Sequence, residues 1–152
     1  VEAVILPRLQ ADQKLFAYKL SKRFDQDISA VLMAACLNVQ DAEITDIKLG
    51  FGGMAAIPMR AAHLESFLIG KKLLVFDNLQ PAEQDALRQN IARCLEADFD
   101  PIDDMRASRA YRLLAAAQLI EKLFLEYSDG KIRLSDPQRF RAPDDFTAAR
   151  PQ

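Results

Sequence analysis

The sequence predicts an α+β domain: a small antiparallel sheet of three to four strands packed with three helices. Apolar and polar residues alternate with period two through the first half of the chain. In the second half apolar residues return every three or four positions. The two patterns do not interleave, as they would in a parallel βαβ sheet, so the helices follow the strands and cover them as a layer.

The elements follow in order. "VEAVIL" (1–6) reads as a strand halted by Pro7, and "LQADQ" (9–13) as a turn. "KLFAYKLSK" (14–22) sets Leu15, Ala17 and Lys19 on one side and Phe16, Tyr18 and Leu20 on the other. "ISAVLMAACLNV" (28–39) is ambiguous, helical by the propensity of its Ala, Leu and Met, strand-like by length and neighbours. "AEITDIKLGFG" (42–52) alternates Ile44, Asp46 and Lys48 against Thr45, Ile47 and Leu49, then ends in glycines. A short helix is expected over 59–69, opened by Pro58 and closed by Gly70. Pro81 opens a second helix carrying Leu87, Ile91, Cys94 and Leu95. The third runs from about 105 to 127. Ala110, Leu113, Ala117, Ile120 and Phe124 form its stripe, and Arg109, Arg112, Glu121, Lys122 and Glu126 lie away from the stripe's centre. Asp103 and Asp104 precede it as caps. Residues 128–152 mix charges with three prolines and read as an extended tail.

Composition narrows the function. Half of the 152 residues are hydrophobic and 28% are charged, the profile of a folded soluble domain. A net charge of −2 argues against nucleic acid, and no apolar run reaches the ~20 residues of a membrane span. The chain starts at Val1, without an initiator Met or a signal pattern, and reads as a piece of a longer polypeptide. Cys36 and Cys94 are expected to be buried apolar thiols, and two cysteines cannot supply an iron–sulfur cluster with its ~4 ligands.

Several candidate motifs read as structural. "GFGGMAA" (50–56) lacks both the third glycine of a dinucleotide fingerprint and the Lys-Ser/Thr of a phosphate loop, so it is a strand-ending turn. His63 is the one histidine, too few for a triad or a histidine-rich metal site. Asp98, Asp100, Asp103 and Asp104 lack the glycine and closing glutamate of a calcium loop, and helix capping accounts for them. "AYKLSKRFDQDISAVLMAA" (17–35) sets five charges, Lys19, Lys22, Arg23, Asp25 and Asp27, beside an apolar run. Two readings stand: a solvated strand end with Arg23–Asp27 pairing, or a strand that presents Lys19 to an anion or electron-rich ring.

Three stretches, "AYKLSKRFDQDISAV" (17–31), "GFGGMAAIPMRAAHLESFLIG" (50–70) and "FDPIDDMRASRAYRLLAAAQLIEKLF" (99–124), carry a resemblance. Together they resemble the C-terminal domain of the FAD-binding module of molybdenum hydroxylases (CO dehydrogenase flavoprotein C-terminal domain-like). The closest likeness is to the bacterial xanthine dehydrogenase small subunit. The resemblance spans residues 1–127, leaves 128–152 as a tail, and implies a sheet-and-helix sandwich in which 28–39 is a strand. It implies a share in an oxidoreductase that hydroxylates a purine or related ring at a molybdenum cofactor and passes electrons through iron–sulfur clusters to FAD and NAD. Molybdopterin and the clusters would belong to the parent complex alone. Lys19 matches a lysine near the flavin ring, where a cation stabilises charge on the reduced cofactor. Val1 matches a position whose backbone touches FAD, and Arg23 and Asp27 match structural charges. No catalytic or metal-binding residue is implied. The implied partners are an upstream FAD-binding domain and a molybdenum-binding subunit, with a homodimer also open, in the cytoplasm. The alternative is a free-standing dimerisation or interaction module of the same fold.

Overall fold

A computed structural model describes residues 8–23, 25–73 and 79–129. The expected strand at 1–6 lies outside the described residues, as does nearly all of the tail. Four strands, β1 (Gln13–Leu20), β2 (Val31–Gln40), β3 (Glu43–Gly52) and β4 (Met59–Arg60), form one antiparallel sheet in that order. Three helices follow, α1 (Ala62–Leu68), α2 (Pro81–Asp98) and α3 (Arg109–Asp129), with α1 packed on β3 and α3 on β2. The ambiguous 28–39 segment is the central strand β2.

Alternation decides the core. Val31, Met33, Ala35 and Leu37 of β2 are fully buried and meet Leu64 and Leu68 of α1, Leu95 of α2 and Ala116, Ile120 and Leu123 of α3. Burying each such Leu or Ile contributes about 1.5–3 kcal/mol. In β3 strict alternation would put Ile44 opposite Ile47 and Leu49, yet all three are buried. A bulge is the cause. Asn38 pairs with Asp46 and Val39 with Ile44, so Thr45 is skipped in the ladder and Ile44 turns inward. The hairpin between β2 and β3 closes on Asp41 (φ 50°) and Ala42 (φ 64°), the left-handed pair of a tight two-residue turn.

The first helix starts later than Pro58 suggests. Met59 and Arg60 pair with Phe51 and Gly50 as β4, and the helix begins at Ala62. Beyond β4 the edge of β3 is completed by a side chain. Glu65 Oε1 accepts the Leu49 N–H at 2.7 Å, and Oε1 and Oε2 take Arg60 Nε and Nη2 at 3.0 and 2.5 Å. Gly70 (φ 79°) does close the helix.

Helix α3 is rotated from its expected stripe. Ala110 is exposed and Leu113 and Ala117 are half-buried, while Arg112 and Glu126, expected on the outside, are 3% and 5% exposed. Both charges lie in phase with buried Ala116, Leu119 and Leu123, and each finds partners at strand ends. The two cysteines are free but only half-buried, against the expectation of burial: Cys36 sits on the helix-free sheet face and Cys94 on α2.

Candidate functional site

No helix among the described residues covers the second face of the sheet. Its residues come in registered rows. Lys19 stands beside Leu32 and Gly52, Ala17 beside Ala34 and Gly50, and Leu15 beside Cys36 and Lys48. The middle row has almost no side chains, and a Cβ placed on Gly50 would meet nothing within 4 Å. The result is a shallow trough floored by Ala17, Ala34 and Gly50, with Leu32 (40% exposed) and Leu15 (57% exposed) on its banks.

Lys19 points onto this face because Tyr18 points the other way. The Tyr18 hydroxyl donates to Glu126 Oε2 at 2.6 Å inside the core, and Lys122 Nζ lies 4.1 Å over its ring. Burial first, then the hydrogen bond to Glu126 and its negative charge, push the Tyr18 phenol well above its ordinary range. With Tyr18 held inward, period-two geometry turns Lys19 outward. Among the described residues Lys19 is exposed and has no hydrogen bond, ion pair or ring contact. Lys19 is thus an exposed amine on this face, and the Arg23–Asp27 pairing of the other reading is present as well, at 3.7 Å.

The other charges of that stretch build the adjoining loop. Asp27 accepts the Arg23 and Ile28 amides at 3.0 Å each and pairs with the Arg23 guanidinium at 3.7 Å. The hydrogen bond from the Arg23 amide leads the causes that hold its carboxyl below the usual range. Lys22 Nζ donates to the Met105 carbonyl at 2.6 Å, which joins this loop to the one before α3.

All three of the quoted stretches meet at one buried guanidinium. Arg112 Nη1 donates to the Ala30 carbonyl, and to the Gly53 carbonyl at 2.8 Å, while Nη2 reaches Asp104 Oδ1 at 2.6 Å. Asp104 also accepts the Arg106 and Ala107 amides at 2.9 and 3.0 Å. The Ala107 bond leads the causes that lower its carboxyl to about 2. Gly53 is required at its position, since φ is 80° and a Cβ would press into the Ala30 carbonyl oxygen. Beside this hub lies a cavity of about 400 Å³ edged by Ile28, Leu32, Gly52 and Ile102.

The acidic run divides by task. Asp103 Oδ1 caps the Arg109 amide at 2.6 Å, Asp100 pairs with the Arg109 side chain at 3.0 Å, and Ser108 Oγ takes the Tyr111 amide at 3.2 Å. Asp98 serves another helix. Its buried carboxylate accepts the His63 and Leu64 amides of α1 at 2.9 and 3.1 Å and the His63 ring at 2.7 Å. Among the described residues no group of three or more His, Cys, Asp or Glu side chains is placed to hold a metal ion. Sequence reading missed Arg112, Glu126, Glu65 and the tertiary role of Asp98. The available signal was phase: Arg112 and Glu126 fall on the same helical face as Ala116, Leu119 and Leu123.

Fold and site together define an α+β domain in which, among the described residues, one face of the sheet carries no helix and the Lys19 amine at its margin has no partner. The chain belongs to the CO dehydrogenase flavoprotein C-terminal domain family, whose model matches residues 16–127. It is similar to the medium chain of a glyceraldehyde dehydrogenase from Sulfolobus acidocaldarius, 33% identical over 109 residues, or 72% of this chain and 35% of that protein. It is also similar to a xanthine dehydrogenase from Emericella nidulans, 44% identical over 59 residues, 38% of this chain and 4% of that one. Among solved structures, a carbon monoxide dehydrogenase from Hydrogenophaga pseudoflava superposes with a TM-score of 0.64 at 19% identity, covering 81% of this chain and 39% of its own. A quinoline 2-oxidoreductase from Pseudomonas putida 86 gives 0.59 at 19%, covering 78% and 38%. At those identities the likeness is one of fold. The chain spans less than two-fifths of the length of each of these relatives.

Proposed function

We propose that residues 1–127 are the C-terminal domain of the FAD-binding subunit of a xanthine dehydrogenase-type molybdenum hydroxylase, nearest to the bacterial small subunit, with 128–152 as its tail. The carrying observation is the Lys19 ammonium, unpaired among the described residues, on a sheet face that no described helix covers and whose middle row is almost bare of side chains. These residues fit one wall of a flavin site. The trough is flat and its floor small, and an upstream FAD-binding domain would supply the enclosing remainder. FAD, when bound, supplies the electron-accepting ring. The task of this chain is to hold a positive charge beside that ring and to exclude water from one side of it. Val1, the second expected contact, lies outside the described residues.

In such an enzyme the domain helps form the site through which electrons pass from iron–sulfur clusters to FAD and on to NAD, while a purine or related ring reacts at the molybdenum subunit. The fragment alone would be inactive, because a ligand shared by two domains loses most of its contacts with one. No helix among the described residues is long and apolar enough to cross a membrane, and we place the enzyme in the cytoplasm.

The test is spectroelectrochemistry on the full-length flavoprotein carrying Lys19→Met or Lys19→Arg. Losing the cation should make the flavin harder to reduce, a more negative potential at unchanged FAD content, and Lys19→Arg should restore it. An unchanged potential in Lys19→Met would end the assignment of Lys19.

A further inference from the structure

Among the described residues β1 is hydrogen-bonded on one side only, to β2. That ladder fixes which residues Lys19 stands beside, Leu32 and beyond it Gly52. It does not fix the tilt of an edge strand about its single row of hydrogen bonds. Lys19 has nothing of its own to set that tilt, being exposed and without a hydrogen bond, ion pair or ring contact among the described residues. The stop lies on the opposite face. Tyr18 is the one buried residue of β1, and its hydroxyl donates to Glu126 Oε2 of α3 at 2.6 Å. Lys122 Nζ, one helical turn before Glu126, lies 4.1 Å over the ring. Two further contacts join the end of α3 to the strand: the Tyr127 ring stands 6.3 Å from that of Phe16, and Lys14 Nζ lies 4.0 Å over the Tyr127 ring. Burial, ahead of the bond to Glu126, pushes the Tyr18 phenol well above its ordinary range, so it remains a donor at neutral pH.

We propose that Glu126, acting through Tyr18, is a positioning residue for the Lys19 ammonium. The inference rests on the reading of Lys19 beside a flavin ring, and adds to it the group that fixes where the charge stands. Adjacent residues of a strand point to opposite faces, so a strand pinned by an inward Tyr18 carries its outward Lys19 with it. A 2.6 Å bond from a hydroxyl to a carboxylate has the length of the charge-assisted class, about twice as strong as a neutral pair. The attraction between a cation and the charge on a reduced ring falls as their separation grows, so an amine that wanders stabilises that charge less. The charge of Glu126 acts in the other sense: a nearby carboxylate opposes reduction, and its loss alone would ease it. Sign therefore separates positioning from charge. Tyr18→Phe alters no charge at neutral pH and removes only the bond.

Spectroelectrochemistry of the full-length flavoprotein tests this, with FAD content and circular dichroism as controls. Tyr18→Phe should shift the flavin potential to the negative, by less than Lys19→Met does. In the Lys19→Met background the same change should shift nothing, since no amine remains to be placed. Glu126→Leu should also shift the potential negative, against the direction of its lost charge, and it decides the question if Tyr18→Phe fails to fold. An unchanged potential in Tyr18→Phe, an equal shift with and without Lys19, or a positive shift in Glu126→Leu overturns the positioning role while leaving the assignment of Lys19 intact. An unchanged potential in Lys19→Met instead removes both.

Discussion

Replacing Arg112 by Met should cost about 3–5 kcal/mol of folding stability, because it removes one partner of a buried charged network. The side chain is 3% exposed, and its guanidinium satisfies the Ala30 and Gly53 carbonyls and Asp104. Met fills nearly the same volume, so the loss is electrostatic and not a cavity. Two carbonyls lose their donor, at about 1–3 kcal/mol for each buried group left unsatisfied, and Asp104 loses its buried countercharge. A domain of ordinary stability, about 5–15 kcal/mol, would lose a large share, and the midpoint of thermal unfolding would fall by about 10 °C. Gly53→Ala attacks the same junction from the other side, through left-handed backbone strain of about 1–2 kcal/mol and a clash with the Ala30 carbonyl. Because both changes strike the Ala30–Gly53–Arg112 contact, the double variant should lose less than the sum, with coupling of at least about 0.5 kcal/mol. Urea unfolding with a shared slope measures all three. A loss below about 1 kcal/mol for Arg112→Met, or strict additivity, would refute the reasoning that the three stretches are bound through this guanidinium.

Alkaline pH should expose the Tyr18–Glu126 bond. The Tyr18 phenol is raised in the folded state above its unfolded value near 10, so its contribution is complete below that pH and is lost as pH rises beyond it, by about 1.4 kcal/mol per unit. Tyr18→Phe should flatten that alkaline slope and lower neutral-pH stability by about 1–3 kcal/mol through the stranded Glu126 carboxylate; equal slopes from pH 10 to 11 would contradict it. Ala42, at φ 64° in the β2–β3 turn, carries left-handed strain that glycine relieves, so Ala42→Gly should stabilise by about 1 kcal/mol in the same urea assay. Neutral or destabilising behaviour would mean the hairpin turn differs from the one described.

The strands-then-helices order, the opposite sides taken by Tyr18 and Lys19, the helix opened by Pro81 and the Arg23–Asp27 pairing are all legible in the residues alone. Each depends on neighbours within a turn or two, where period-two alternation, a fixed proline φ or a four-residue charge spacing acts locally. The rest is settled at long range. Arg112 meets a carbonyl 82 residues away, Glu126 a tyrosine 108 away, and Asp98 an α1 amide 34 away. Those contacts rotate α3 so that charged side chains enter the core, which a polarity pattern assigns to water. The skipped Thr45 is of the same kind, since a bulge exists only between two strands and is absent from either read singly. By itself, then, the sequence determined the order of strands and helices and how a strand's side chains alternate, while it left 28–39 open between helix and strand and placed 59–60 in a helix that begins at Ala62. Only the tertiary structure decided which charges are buried, which face of the sheet the described helices leave open and that Lys19 has no partner among the described residues, because burial depends on partners that folding brings together from distant parts of the chain.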